Sequence, residues 1–419
     1  MTSRERVLAA IAHREPDRVP VDLGSTPSSG ISAIAYTRLT RHMGIQNSKT
    51  RVYDVVQELA QPEAPVLDAF GVDVIDVGRA FNTEDDAWYA VELSDGSKAY
   101  YPGWFRPQRE SDGALSATVN GTVIARKPVG ATFFDATFFP YLDGYPESYA
   151  QLQRAMGMVH WAALVHSPWD HASDPDFWQT LRSKALQLRE TTDKALMIVV
   201  GCNLFEWGTF LRRLDNFLMD VYADEQNVQR LLEGLVEIHL ANLQKVCEAV
   251  GDVVDIIRFG DDLGMDSGPF MSPERYRTLF KPHHQRMCRY VQQHSTMHTF
   301  LHSCGSIYQL IPDLIDAGFE ILNPVQTNTV DMDAERLKRE FGKDVTFWGG
   351  GADTRHTLNN GSPADVRNDV KQRIDTFAPG GGFVFNTIHN ILPDVPPENV
   401  VAMFEALKDY GSMNGRTAV

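Results

Sequence analysis

His302 and Cys304 stand one residue apart at the end of the run His298-Thr299-Phe300-Leu301 and are followed by Gly305. The run reads as a strand, and in a strand side chains two positions apart share a face. An imidazole and a thiol then project side by side from a strand end, and both are zinc ligands. Two ligands do not make a site, so the chain has to supply a third from elsewhere. His389, near the end of the last apolar run, is the candidate. A His302/Cys304/His389 set fills three corners of a tetrahedron and leaves the fourth open. That is the arrangement of catalytic rather than structural zinc.

Such a set needs elements that bring distant residues to one place. Eight short apolar runs recur along the chain. They start near Val19, Val72, Ala195, Val253, Thr299, Phe319, Val345 and Phe383. Most are separated by helical stretches, at Asn227–Val250, Ser272–Gln293, Ile307–Ala317 and Ser362–Phe377. Pro273 after Ser272 fits a helix start, and Gly251 and Gly318 fit helix stops. Strands alternating with helices predict a mainly parallel sheet, and eight such units predict an α/β fold of the (β/α)8 TIM-barrel type. An open, doubly wound sheet would want an early glycine-rich phosphate loop, and none is present. Trp88–Leu93 and Lys98–Tyr101 flank a Ser-Asp-Gly-Ser turn, and Asn120-Gly121 sits inside a second hairpin pattern. Residues 84–140 are therefore expected as an antiparallel β insertion after the second strand, within a single barrel domain spanning 1–419.

In a TIM barrel, chemistry sits at the C-terminal strand ends. Those ends carry Asp22; Cys202, Asn203, Phe205, Glu206 and Trp207; Asp261 and Asp262; His302 and Cys304; Asn323 and Gln326; Trp348 and Asp353; Asn386, His389 and Asn390. Simpler roles are open to several of them. Asp261-Asp262 equally fits a turn or helix N-cap, and Cys202 fits a small core residue. His283-His284 has no helical partner and reads as surface or core.

The net charge of −16 repels phosphate backbones, which argues against nucleic acid as a partner. No apolar run is long enough to span a bilayer. The four cysteines are sparse and irregularly spaced, as expected of a reduced, cytoplasmic protein.

Together these segments resemble the uroporphyrinogen decarboxylase superfamily, and within it the zinc- and corrinoid-dependent methyltransferase branch. The resemblance is carried by Arg4-Glu5-Arg6-Val7 through Pro20, Gly260-Asp261-Asp262-Leu263-Gly264, Ser272-Pro273-Glu274-Arg275-Tyr276 and His302-Ser303-Cys304-Gly305. Asn323-Pro324-Val325-Gln326, Phe347-Trp348-Gly349-Gly350 and Pro393 through Val400 add to it. Decarboxylases of the family carry an arginine-rich N-terminal motif that binds substrate carboxylates. This chain has Asp22-Leu23-Gly24-Ser25-Thr26 there instead.

The resemblance implies zinc held by His302, Cys304 and His389, and a methyl group exchanged between a small molecule and a corrinoid (cobalamin) supplied by a partner protein. The small molecule is a methyl ether donor or a thiol acceptor, and a homodimer is compatible with the pattern. Coenzyme M methyltransferases of this branch have a cysteine as third ligand, where this chain has His389. One thiolate and two imidazoles leave zinc a formal +1, a stronger Lewis acid suited to oxygen as well as sulfur. Asp261 and Asp262 are the catalytic candidates, one of them orienting a ligand histidine. Phe205, Trp207, Gln326, Trp348 and Asn386 are the substrate-binding candidates. The rival readings are a metal-free lyase with Asp262 as its acid–base group, and a non-catalytic metal- or corrinoid-binding accessory protein.

Overall fold

The computed structural model describes residues 1–412. Seven parallel strands lie side by side in chain order: Val74–Asp76, Ala195–Gly201, Ile256–Gly260, His298–His302, Ile321–Asn323, Thr346–Trp348 and Phe383–Val384. The eighth predicted run closes the gap between the two edges without forming a ladder. Val21 bridges Phe385 in parallel. Asp22 N–H donates to Phe385 O and Phe385 N–H to Pro20 O, both at 2.8 Å, while on the other edge Asp73 N–H donates to Val21 O at 2.8 Å. The segment stays this short for local reasons. Pro20 has no N–H to give, and Gly24 turns the chain away at φ +81°.

Inside the barrel, Val74, Met197, Ile256, Phe300, Ile321, Trp348 and Val384 form one apolar cluster with Val7, Ala10 and Ile11. The last three belong to the helix Ser3–Ile11, whose start is fixed by a Thr2/Glu5 capping box. Arg4 N–H bonds Asp193 O just before the second ladder strand. The helix therefore plugs the N-terminal end of the barrel and leaves the C-terminal end for the site. Strand alternation carries this further. Two residues beyond the apolar layer, the same inward face carries Asp76, Arg258, His302, Asn323 and Asn386. The barrel interior thus changes from apolar to polar within one step of the pleat.

The insertion is antiparallel, as predicted. Trp88–Glu92 pairs with Lys98–Pro102, and Leu115–Val119 pairs with Thr122–Lys127 within a four-stranded sheet. A buried group anchors it: Glu58 Oε1 accepts from Lys127 Nζ at 2.5 Å and from Tyr101 Oη at 2.7 Å. A further small sheet, Ile31–Ser32, Val52–Asp54 and Leu59–Ala60, was not expected. Strands of two or three residues are too short to show alternation. The predicted helix Ser272–Gln293 is two helices, Pro273–Leu279 and Lys281–His294. Pro282 forces the break, because it cannot donate to the preceding turn. Among the described residues no helix is long and apolar enough to cross a membrane.

Candidate metal centre

His302, Cys304 and His389 converge at the barrel mouth, with one ligand atom from each within 4.8 Å of the others. Cys304 Sγ lies 3.3 Å from His302 Nε2. A tetrahedral ion with bonds of about 2.0–2.3 Å sets its donors roughly 3.3–3.7 Å apart. The His302–Cys304 pair already has that spacing, and the two imidazole rings stand 5.9 Å apart, edge to face.

The histidine is held in one tautomer. Asn323, on the next strand and paired in register with His302, donates Nδ2–H to Trp348 O at 2.8 Å. That turns Asn323 Oδ1 toward His302 Nδ1, 2.6 Å away. Oδ1 also accepts from Ser28 Oγ at 2.8 Å. An amide oxygen can only accept, so Nδ1 carries the proton and Nε2 presents its lone pair toward Cys304. Burial, reinforced by the Arg258 charge, lowers the His302 pKa to about 3, so the ring stays neutral. Burial also lowers His389. Burial and the neighbouring Asp262 carboxylate push the Cys304 thiol well above its ordinary range. A divalent cation among these three would reverse that last effect, because its charge favours the thiolate. The donor set therefore fits a metal such as zinc.

Gly305 explains how Cys304 is aimed. Its φ is +83°, and a Cβ there would sit 2.3 Å from the Gly264 carbonyl. Two glycines let the loop after Cys304 cross the loop after Asp262 back to back. Gly264 N–H bonds Cys304 O at 3.1 Å, and Leu263 N–H bonds Ser303 Oγ at 3.1 Å.

The paired aspartates separate in role. Asp262 faces the cluster: its Oδ1 accepts Cys304 N–H at 2.8 Å and lies 3.4 Å from His302 Nε2. Asp261 does not. Its fully buried carboxylate accepts the N–H groups of Phe205 and Glu206 at 3.1 and 2.9 Å, the start of the helix Phe205–Arg212, and lies 3.4 Å from His284 Nε2. It satisfies N-terminal donors of a helix from another part of the chain, so it is neither a turn residue nor the N-cap of a helix of its own.

A cavity of about 640 Å³ opens beside the cluster, with His302, His389 and Asp262 on its wall. Of the five residues expected to bind substrate, Trp207 lines it. The other four serve the framework. Phe205 packs against Phe217, Phe270 and Phe280. Trp348 is wholly buried in the apolar layer and donates to Asp22 Oδ2 at 2.9 Å. Gln326 Oε1 accepts Gly305 N–H at 2.8 Å and so fixes the loop after Cys304. Asn386 is buried and bonds Thr387 O. The cavity's aromatic lining is Trp161, Trp169, Trp178, Trp207 and Phe210, the Trp161 and Trp207 ring centroids lying 6.3 and 5.8 Å from that of Phe210.

Glu206 and Arg258 also line the cavity. Burial, with the Asp262 and Asp261 charges, pushes Glu206 well above the usual carboxylate range. Glu206 stands out in the sequence only as a strand-end residue and Arg258 not at all, although an arginine inside the apolar run Val253–Phe259 is itself a signal. Asn323 was recognised as a strand end, and its pairing with His302 appears only in the sheet register.

A family model for uroporphyrinogen decarboxylase matches residues 203–410. The chain is 36% identical over 55 residues to the uroporphyrinogen decarboxylase of Methylococcus capsulatus, and 32% identical over 75 residues to that of Pseudoalteromonas translucida. These alignments cover 13% and 18% of this chain, and 16% and 20% of those two proteins' own lengths. The fold is similar over nearly its whole extent to a methyltransferase from Methanosarcina mazei: TM-score 0.58, 18% identity, 98% of this chain and 99% of that one.

Proposed function

Since the chain belongs to the uroporphyrinogen decarboxylase superfamily, and three zinc-type donors meet at its barrel mouth, we propose that it is a zinc-dependent methyltransferase. It moves a methyl group between a small molecule, a methyl ether or a thiol, and a corrinoid carried by a partner protein. The observation that carries this reading is the convergence of His302, Cys304 and His389 beside a cavity that both histidines line. The likeness in fold to a methyltransferase is consistent with it. The stretch from Asp22 to Thr26 holds no arginine, which speaks against a polycarboxylate porphyrinogen as substrate.

When bound, zinc supplies Lewis acidity to a thiol or ether in its fourth position. The chain's own residues prepare that position. Asn323 keeps the His302 lone pair aimed, and Asp262 fixes the Cys304 backbone. Trp161, Trp207 and Phe210 exclude water and seat an apolar body against the cluster.

Metal analysis beside a transfer assay tests the reading. The purified chain is expected to hold about one zinc, and to methylate cob(I)alamin from methyl ethers or demethylate methylcobalamin with thiols. His302→Ala/Cys304→Ser loses both properties. A metal-free protein with full activity would overturn the proposal.

A further inference from the structure

Among the described residues Arg258 is the one inward-facing cation of the polar layer above the barrel core, and it is not among the candidate metal ligands. It follows Ile256 by two residues on its strand and lines the cavity. Its guanidinium lies over Gly260, where a Cβ would come within 2.9 Å of Nη1. Gly260 pairs in register with His302, so the absence of that side chain gives the guanidinium its place beside the candidate metal ligands. Arg258 Nε is buried and has no hydrogen-bond partner.

Glu206 and Asp262 bring negative charge to it, but among the described residues neither carboxylate hydrogen-bonds the guanidinium. Glu206 Oε2 accepts from Asp262 N–H, and Asp262 Oδ1 accepts from Cys304 N–H. A half-buried guanidinium with no hydrogen-bond partner is costly unless an anion meets it from the cavity side. Guanidinium forks match carboxylates, and Arg–carboxylate pairs are frequently bidentate. The aromatic wall of Trp161, Trp207 and Phe210 lines the same cavity.

We propose that Arg258 is the anchor for a carboxylate on the substrate, and that the substrate class is an aromatic carboxylate whose methyl-bearing heteroatom reaches the His302/Cys304/His389 cluster. This rests on the methyl-transfer reading for which atom reacts, but the binding of the anion stands apart from it.

The test is calorimetric titration of the full-length, zinc-loaded chain with 4-methoxybenzoate and with its neutral isostere 4-methoxybenzamide. The benzoate is expected to bind at least about thirtyfold tighter, the scale of one charge-assisted hydrogen bond. Arg258→Met removes that preference at unchanged zinc content, and Arg258→Lys keeps part of it. Equal affinity for the two probes overturns the proposal, as does no binding of either. A preference undiminished in Arg258→Met also overturns it, because the carboxylate is then held by the metal. If Arg258→Met does not fold, chelator-treated wild-type protein decides, and the preference must survive zinc removal. Loss of zinc binding or of methyl transfer reports on the proposed function, so the two failures are distinguishable.

Discussion

Asn323 Oδ1 lies 2.6 Å from His302 Nδ1, across the boundary between two neighbouring barrel strands. The same amide donates to Trp348 O, which rules out the flipped orientation. One buried amide thus sets the tautomer of a candidate metal ligand.

Asn323→Leu removes the acceptor while filling the space. Zinc affinity is expected to fall about 10–100-fold, the usual effect of losing a ligand's supporting hydrogen bond. Asn323→Asp keeps the acceptor and should retain most of the affinity. Competition with a chromophoric chelator measures both.

The two adjacent aspartates should respond oppositely. The Asp261 side chain is fully buried and bonds two backbone N–H groups. Asp261→Ala is expected to cost roughly 2–3 kcal/mol of stability, since buried donors lose their partner, while zinc content holds. The Asp262 side chain is 35% exposed. Asp262→Ala should change the denaturation midpoint little and reduce methyl transfer. Urea denaturation and turnover, measured on the same preparations, separate the two.

Gly305 and Gly264 make a sharper steric prediction. A Cβ at Gly305 would fall 2.3 Å from backbone atoms that cannot yield, at φ +83°. Gly305→Ala is expected to weaken zinc binding and to lower Tm by several degrees. Gly121 also has a positive φ, +82°, but nothing lies within 4 Å of its Cβ position. Gly121→Ala should leave zinc binding untouched.

Much of this was legible in the chain, and the gaps have physical reasons. The barrel followed from apolar runs and helix punctuation, and the His302/Cys304/His389 set from residue type and strand parity. The closing segment at Val21 reads as a short buried strand, whereas Pro20 limits it to a bridge. Phe205 and Trp348 have the right chemistry for a substrate wall, but Phe205 packs into the core and Trp348 sits in the apolar barrel layer. Position along a strand gives the face, while depth depends on stagger between strands, which a single run does not encode. The aromatic lining of the cavity includes Trp161, on the short helix His160–Ala163, and its placement depends on tertiary packing.

Acid sensitivity has a stated sign. Burial lowers the pKa of His160 and of His239 to about 4, against 6.5 when unperturbed. Between those values the unfolded chain binds more protons. Each residue's contribution is complete above 6.5 and is lost as pH falls through 4, by about 3 kcal/mol. Asp76, raised by burial to about 7, works in the opposite direction over part of the window, so the informative quantity is a difference. His160 Nδ1 has no hydrogen-bond partner, and His160→Phe should be tolerated. Its stability relative to wild type is expected to rise steadily from pH 7 to pH 4, as read by denaturant melts across that range.

The central claim is tested most directly by zinc-edge X-ray absorption on the zinc-loaded protein. The account predicts one sulfur at about 2.3 Å and two imidazole nitrogens at about 2.0–2.1 Å, with one lighter exchangeable ligand. The sulfur should vanish in Cys304→Ser and one imidazole in His389→Ala. A zinc shell with no sulfur, or one unchanged in His389→Ala, would contradict it.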